Sequence, residues 1–337
     1  AAYADFLQAL SSPIPVSVRR NPLKLKHWKE NYAGVKWHPE GVYFPTRPVF
    51  TLDPRLHGGA YYVQEASSML LLSVLQQTVD LNSPLKVLDL AAAPGGKSTL
   101  LAAALSEGSL LISNEVIKNR YQILRENLSK WGYPNVVCTN QDSREFAPLQ
   151  GQFDLVLLDA PCSGEGLFRK DPAAVNEWSP EHVQHCAARQ RRILAEASAL
   201  LKPGGILIYC TCTYNDHENS LNVQWSQENL DLTPIALAFP TEWGIQAREL
   251  GYQCYPHHLD GEGFFIAALR QEKKYPLLKS NPPKGFWKNT PRKNTGALKD
   301  WINPSFEFQA LESPHGELAA IPQPCFDSFQ ELSPHLR

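Results

Sequence analysis

The chain has little of what marks a membrane, secreted or disulfide-rich protein. No apolar run in its 337 residues approaches the ~20 residues that cross a bilayer. Its seven cysteines are an odd number without the regular spacing of a small disulfide framework, and the first residues lack the pattern of a secretory signal. We therefore expect reduced thiols, a cytoplasmic location and no membrane partner.

Methionine is almost absent. Met69 is the only one, and the first residue is alanine. We therefore expect that the natural chain begins before residue 1, and we allow for a missing end as well.

Neither sign of charge is in excess, since 32 lysines and arginines face 34 aspartates and glutamates. The basic residues are clustered, however, between Arg19 and Arg55 and again between Arg270 and Asp300. Both clusters contain aromatic residues, notably Trp28, Tyr32, Trp37, Phe286 and Trp287. This mixture is typical of surfaces that bind RNA phosphates and unpaired bases. Solvated flanks explain the charge equally well.

Alternating strand and helix patterns run through the middle of the chain. Strands are predicted at 86–92, 109–116, 135–142, 153–161, 205–213 and 263–269, and helices at 97–105, 118–131 and 180–201. This rhythm predicts an α/β fold with a doubly wound, mostly parallel sheet. We expect three parts: a smaller N-terminal α/β lobe (1–82) that contacts RNA, the main domain (83–270), and a basic linker with a short C-terminal segment (271–337).

A turn of small residues follows the first predicted strand. Such a turn lets a ligand approach the backbone, and the helix after it offers free N–H groups. Gly96-Lys97-Ser98 resembles the end of a phosphate-binding loop. However, Ala91 stands where that motif requires glycine, and Pro94 lies inside the turn. The loop therefore argues against a nucleotide hydrolase.

Acidic residues end four successive predicted strands: Asp89, Glu115, Asp142 and Asp159. Glu115 is placed to accept both hydroxyls of a ribose, and Asp142 to accept from an adenine amino group. Any one of these acids could instead cap a helix or lie in a solvated turn. Together with the glycines, they fit a nucleoside that carries a cationic sulfonium, so the predicted cofactor is S-adenosylmethionine.

Two cysteines, Cys162 and Cys212, follow apolar strands. The carboxyl ends of parallel strands meet at one crest of a sheet, where open α/β folds bind ligands. Two thiols at that crest suggest covalent catalysis. The remaining cysteines are expected to be packing residues: Cys138, Cys186, Cys210, Cys254 and Cys325.

A zinc site is the alternative use of these thiols. Cys210 and Cys212 lie near His217, and His257, His258 and Asp260 form a second group. No second cysteine pair stands at finger spacing, so no metal site is predicted.

Five segments in order carry a resemblance to a known family: GAYYVQEAS at 59–67, DLAAAPGGK at 89–97, DAPCSG at 159–164, TCT at 211–213 and GFF at 263–265. The chain resembles the RNA (cytosine-5) methyltransferases of the NSUN type over residues 18–269. The resemblance implies a class I, Rossmann-like, S-adenosylmethionine-dependent domain. It also implies methylation of carbon 5 of a cytosine in structured RNA, with small-subunit ribosomal RNA as the favoured substrate.

The resemblance also implies roles for individual residues. Cys212 would be the nucleophile that adds to carbon 6, Asp159 would hydrogen-bond the base near N3, and Cys162 would help to release the proton from carbon 5. The residues that would line the cofactor site are Ala91, Ala92, Ala93, Pro94, Gly95, Gly96, Lys97, Glu115, Asp142 and Asp159.

Three alternatives stay open at this point. The RNA could be transfer RNA, or the substrate could be DNA, in which case Cys162 would be the nucleophile. The chain could also be a catalytically silent RNA-binding or ribosome-assembly protein, although the presence of Asp159, Cys162 and Cys212 argues against it. A monomer would suffice for any of these functions.

Overall fold

The computed structural model describes residues 2–171, 173–273, 275, 287–290, 296, 298, 300, 302, 303, 305–313 and 316–336. Much of the second basic cluster, including Phe286, therefore lies outside the described residues. The helices are α1 (Ala2–Leu10), α2 (Pro54–His57), α3 (Leu71–Thr78), α4 (Gly96–Ala104), α5 (Lys118–Trp131), α6 (Ala174–Glu177), α7 (Pro180–Leu200), α8 (Ser220–Leu230) and α9 (Phe326–Leu332). None of the helices in these ranges is both long and apolar enough to cross a membrane.

The strands form three sheets. They are β1 (Val16–Arg20), β2 (Ala33–Gly34), β3 (Gly41–Phe44), β4 (Tyr61–Val63), β5 (Lys86–Asp89), β6 (Leu110–Asn114), β7 (Val136–Thr139), β8 (Phe153–Asp159), β9 (Leu201–Thr211), β10 (Leu232–Pro234), β11 (Gln246–Arg248), β12 (Gly251–Cys254), β13 (Phe264–Gln271), β14 (Lys288–Asn289), β15 (Phe308–Glu312) and β16 (Leu318–Pro322).

The main sheet has the order β11-β12-β13-β9-β8-β5-β6-β7, with β10 beside β13. The strands from β9 to β7 are parallel, and β13 is antiparallel to β9. In β8 the run from Leu155 to Leu158 is fully buried, as expected of a strand that is covered on both faces. The predicted doubly wound, mostly parallel sheet is confirmed.

The predicted strand boundaries differ from the observed ones at both ends, most at the start of β9, which begins at Leu201 rather than 205. The first strand, predicted to reach residue 92, ends at Asp89, and the fourth ends at Asp159 rather than 161. The residues beyond these ends leave the sheet to form loops. Helix α5 spans the predicted residues and ends where Gly132 adopts a left-handed conformation with φ of 84°.

The N-terminal part forms a four-stranded sheet, β2-β3-β1-β4. Arg19 in β1 is buried, and its guanidinium donates to Gln64 Oε1 at 2.7 Å and to Thr99 Oγ1 at 2.6 Å. It therefore ties the small sheet to helix α4. Trp37, which the sequence placed among the exposed aromatic residues, is buried instead and donates to the carbonyl of Ala66.

The described C-terminal residues contain strands and a helix. Strands β14, β15 and β16 form a small sheet, and Leu311, Phe326, Phe329 and Leu332 belong to the same buried cluster as the apolar residues of β8 and β9. The expectation of a basic linker with a short C-terminal segment stays a prediction. The strands among the described residues were not predicted, because alternation over five residues is too short to recognise in sequence. The division at 82/83 and 270/271 stays a prediction.

Candidate active site

The parallel pairing of β8 and β9 brings the two predicted cysteines together. Asp159 lies opposite Cys210 in this ladder, so the chain leaves both strands side by side. Cys162 and Cys212 follow, and their sulfur atoms are 3.2 Å apart. Residues that are 50 positions apart in the chain are thus in contact at the crest of the sheet.

Close backbone contacts fix the loops that carry these cysteines. The N–H of Gly166 donates to the carbonyl of Cys212 at 2.8 Å. A Cβ atom at Gly166 would lie 2.7 Å from the Gly263 oxygen and 2.8 Å from the Cys212 oxygen. Position 166 therefore has no room for a side chain, since such contacts are far inside van der Waals distance.

Two buried carboxylates, which sequence reasoning missed, also hold the loops. Glu165 accepts from the backbone N–H groups of Tyr214 at 2.8 Å and Asn215 at 3.0 Å. Glu218 accepts from the N–H of Ser163, the residue after Cys162, at 3.0 Å. Each carboxylate lies on the loop of one cysteine and binds the loop of the other.

Lys97 lies beside this pair. Its Nζ atom is 2.7 Å from Asp159 Oδ2 and 5.1 Å from the centre of the Phe264 ring. Burial alone would lower the pKa of Lys97, but the Asp159 carboxylate and the neighbouring thiols together raise it above its ordinary value. The lysine is therefore a cation near the two sulfur atoms.

The two cysteines titrate unequally. The pKa of Cys162 is raised well above its ordinary value, first by its hydrogen bond to Cys212, then by burial and by the charges of Cys212 and Glu218. The pKa of Cys212 is lowered, because it accepts the hydrogen bond from Cys162 and lies near Lys97. Either sulfur atom can donate across the 3.2 Å contact, and the directions of the two pKa shifts favour a proton on Cys162 and a thiolate at Cys212.

Both sulfur atoms border a cavity of about 620 Å³, within the usual size of small-molecule sites. Residues of the glycine-rich turn and both sheets line it: Ala91, Ala92, Ala93, Pro94, Gly96, Lys97, Asp159, Cys162, Cys212, Tyr62, Gln64 and Phe264. In the described residues, no cluster of three or more His, Cys, Asp or Glu side chains is arranged to hold a metal ion.

The turn before α4 lets a ligand come close to its backbone. Gly95 has a φ of 112°, which favours glycine, and Gly96 begins the helix. Asp89, under the turn, is fully buried; its Oδ2 accepts from Ser98 Oγ at 2.6 Å, and its Oδ1 accepts no hydrogen bond from the described residues. Burial raises the pKa of Asp89 to about 7.

Comparison with known proteins gives the family. Residues 76–270 match the family described as 16S rRNA methyltransferase RsmB/F. The chain belongs to this family. Residues 1–66 of this RsmB/F chain also match the N-terminal domain of 16S rRNA methyltransferase RsmF. The predicted resemblance is thereby confirmed.

Named relatives agree with the RsmB/F match. The chain is 38% identical over 296 residues to ribosomal RNA small subunit methyltransferase F of Escherichia fergusonii, which covers 82% of the chain and 61% of the relative. It thus spans about three fifths of that relative's length. A methyltransferase homologue of Pyrococcus horikoshii is 30% identical with a TM-score of 0.67, covering 79% of this chain and 90% of that one. NSun6 of the same organism, 22% identical with a TM-score of 0.69 over 81% and 95% of the chains, shares the fold.

Not all predicted cofactor residues of this RsmB/F chain line the cavity. Glu115 lies behind it: its Oε1 accepts from the Ile117 N–H at 2.9 Å, and its Oε2, 3.5 Å from Arg120, accepts no hydrogen bond from the described residues. Asp142 accepts from the N–H of Arg144 at 3.1 Å and caps the 3₁₀ helix Ser143–Leu149. Gly95, Glu115 and Asp142 are absent from the lining.

Proposed function

We propose that this chain transfers a methyl group from S-adenosylmethionine to carbon 5 of a cytosine in structured RNA, with small-subunit ribosomal RNA as the substrate. The 3.2 Å contact between the sulfur atoms of Cys162 and Cys212 carries the proposal. Methylation at carbon 5 needs a nucleophile at carbon 6 and a group that helps to remove a proton, and two adjacent thiols suit these tasks. The relative named for small-subunit ribosomal RNA supports the substrate.

The residues around the glycine-rich turn fit the cofactor. The buried Asp89 borders the cavity and its Oδ1 accepts no hydrogen bond from the described residues, so it suits an ammonium or hydroxyl donor of a ligand. The backbone from Ala91 to Lys97 would cradle the ligand, and Asp142 would accept from the adenine amino group. When bound, S-adenosylmethionine supplies the electrophilic methyl group.

The chain's own groups would then act in order. The Cys212 thiolate adds to carbon 6, which makes carbon 5 nucleophilic. Addition leaves negative charge at N3, which takes up a proton from solvent. Asp159, held by Lys97, would then accept a hydrogen bond from the N3–H of the adduct. After methyl transfer, Cys162 would lose its own proton to solvent and take the carbon 5 proton, directly or through water. The electron pair of that C–H bond would re-form the double bond between carbons 5 and 6 and expel Cys212 as a thiolate.

The small N-terminal sheet supports an RNA partner. A second cavity, of about 610 Å³, has four cations, one indole ring and two carboxylates in its lining: Lys24, Lys26, Lys29, Arg55, Trp28, Glu30 and Asp53, the last paired with Arg55. The Arg55 guanidinium lies 5.8 Å from the centre of the Trp28 ring. Cations next to an aromatic ring suit phosphates and an unpaired base, so we place part of the RNA contact there.

Replacement of each cysteine tests the function. Cys212→Ala should abolish transfer of labelled methyl groups to RNA, because it removes the nucleophile. Cys162→Ala should leave a protein–RNA adduct that survives denaturation, because the adduct forms but resolves slowly. Cys138→Ala, distant from the pair in sequence, is the control and should behave as wild type.

Other outcomes identify other functions. The reverse pattern, with an adduct in Cys212→Ala and none in Cys162→Ala, would contradict the assignment and favour a DNA-type enzyme. Mapping of 5-methylcytosine in total RNA with and without the protein separates ribosomal from transfer RNA. No transfer to any RNA would favour a silent RNA-binding protein.

A further inference from the structure

A cysteine pair that supplies a thiolate holds one proton fewer than two thiols, because the other proton has passed to solvent. The remaining proton would lie between the sulfur atoms of Cys162 and Cys212, which are 3.2 Å apart. Two thiolates at this distance would repel each other strongly, so a single charge is shared by the pair. Chemistry therefore depends on which sulfur carries the charge.

Glu218 is the fixed charge on the Cys162 side. It is fully buried, its Oε2 accepts from the Ser163 N–H at 3.0 Å and from Gln190 Nε2 at 2.7 Å, and its Oε1 accepts from Asn215 Nδ2 at 2.8 Å. All three donors are neutral, and among the described residues no lysine, arginine or histidine forms an ion pair with it. A buried carboxylate without a cation is costly, and its field is weakly screened.

The Cys212 side holds charges of both signs. Lys97 and Asp159 form an ion pair there, in which Asp159 opposes a thiolate at Cys212 and Lys97 favours it. The nearby Tyr209 and Cys210 are buried, and burial raises the pKa of each well above its ordinary value, so both stay neutral. Glu218 instead lies on the Cys162 side without a cationic partner among the described residues, since its Oε2 accepts from the N–H of Ser163, the residue after Cys162.

We propose that Glu218 is a positioning residue that keeps the shared proton on Cys162 and so leaves Cys212 as the thiolate. The inference rests on the proposed function for its meaning, because only a methyltransferase of this kind needs Cys212 as the attacking group. The hydrogen bond that Glu218 accepts from the Ser163 N–H also holds the Cys162 loop against the Cys212 loop. One side chain thus fixes both the position and the protonation of the pair.

Thiol labelling tests the proposal without any substrate. The full chain is treated with iodoacetamide at low conversion over a pH series, and the labelled peptides are quantified by mass spectrometry. Wild type should label Cys212 faster than Cys162. In Glu218→Gln the ratio of Cys212 to Cys162 labelling should fall about tenfold, the change that one unit of relative pKa produces.

Glu165→Gln is the matched control, since it neutralises a second buried carboxylate that bridges the same loops but does not bind Ser163. It should change the ratio by less than about threefold, well under one pKa unit. A folded Glu218→Gln variant with the wild-type ratio would overturn the proposal, as would an equal change in both variants.

A second variant is used if circular dichroism shows that Glu218→Gln does not fold. Glu218→Asp keeps the charge and shortens the side chain, so the ratio should stay within about threefold of wild type. A ratio near one in folded Glu218→Asp would overturn the proposal. Failure of the methylation assay with the labelling shift intact would overturn the methyltransferase function alone.

Discussion

At the scale of single residues, the site depends on an asymmetry between two chemically identical side chains. Cys162 and Cys212 are in contact, but Lys97 lies toward Cys212 and Glu218 toward Cys162. A thiolate is the nucleophilic form of cysteine, and opposite charge nearby stabilises it. The charged neighbours of each cysteine therefore decide which of the two is the reactive thiolate.

Lys97→Met should slow the alkylation of Cys212. The lysine lowers the pKa of Cys212, so its loss raises that pKa and moves the curve of alkylation rate against pH to higher pH. Near neutral pH the rate should fall about tenfold for each unit of the shift. Iodoacetamide labelling followed by peptide mass spectrometry measures the alkylation rate of Cys212 at each pH.

The same strand offers a control. Lys202 lies 2.7 Å from Asp154 near the start of β8, the same separation as that of Lys97 from Asp159 at its end. Lys202→Met should leave the alkylation curve of Cys212 unchanged. An unchanged curve in Lys97→Met would show that the lysine does not set the reactivity of the thiol.

Sequence reasoning identified Cys162, Cys212 and Asp159 because strand ends are visible in the pattern and meet at one crest. It could not find the pairing of Lys97 with Asp159, since the two are 62 positions apart and Lys97 was assigned to the cofactor loop. Glu218 was missed for the same reason. Its position in a polar turn is typical of solvent exposure, and only the fold buries it.

At the scale of elements, the loops that carry Cys162 and Cys212 can approach each other only because one position between them has no side chain. The 3₁₀ helix Glu165–Leu167 passes between the loops of Cys212 and Gly263. Its middle residue, Gly166, touches both backbones. Helix and strand patterns predicted the neighbouring elements, but they carry no information on such a contact between loops.

Gly166→Ala should therefore disable the site while leaving the sheet intact. The added methyl group forces the Cys212 carbonyl away, and a displacement of about 1 Å costs on the order of a hundredfold in rate. Transfer of labelled methyl to RNA measures the loss, with circular dichroism as the check on folding. Gly34→Ala, where nothing lies within 4 Å, should keep full activity. Equal activity in both variants would mean that the loop adapts.

At the scale of the whole molecule, the C-terminal helix α9 shares its core with the main sheet. Phe326 and Phe329 pack in the cluster that contains Val156 and Leu158 of β8. Lys86 at the start of β5 also forms an ion pair with Glu331. These contacts predict that the segment unfolds together with the sheet.

Phe329→Ala should lower the free energy of unfolding of the whole chain by about 3–5 kcal/mol, the cost of removing a buried phenylalanine. Urea unfolding followed by circular dichroism measures it. Glu331→Ala, on the exposed side of the same helix, should cost less than about 1 kcal/mol. A separate early transition in Phe329→Ala, with the main midpoint unchanged, would show that the segment folds by itself.

The doubly wound, mostly parallel sheet could be predicted from the sequence, because apolar strand patterns alternate with helical ones. The C-terminal strands could not, since each has five residues or fewer and most of these are only half-buried. Trp37 is a similar case: its neighbours in sequence are charged, but tertiary contacts bury it.

The parallel ladder of β8 and β9 has a consequence for how the family can diversify. Adjacent strands lie about 4.8 Å apart whatever joins them, so the separation of the sulfur atoms does not depend on the length of the connection. That connection contains the 21-residue helix α7. Insertions or deletions on its outer face can accumulate without moving the reactive centre, which leaves this helix open to natural variation and to engineered fusion.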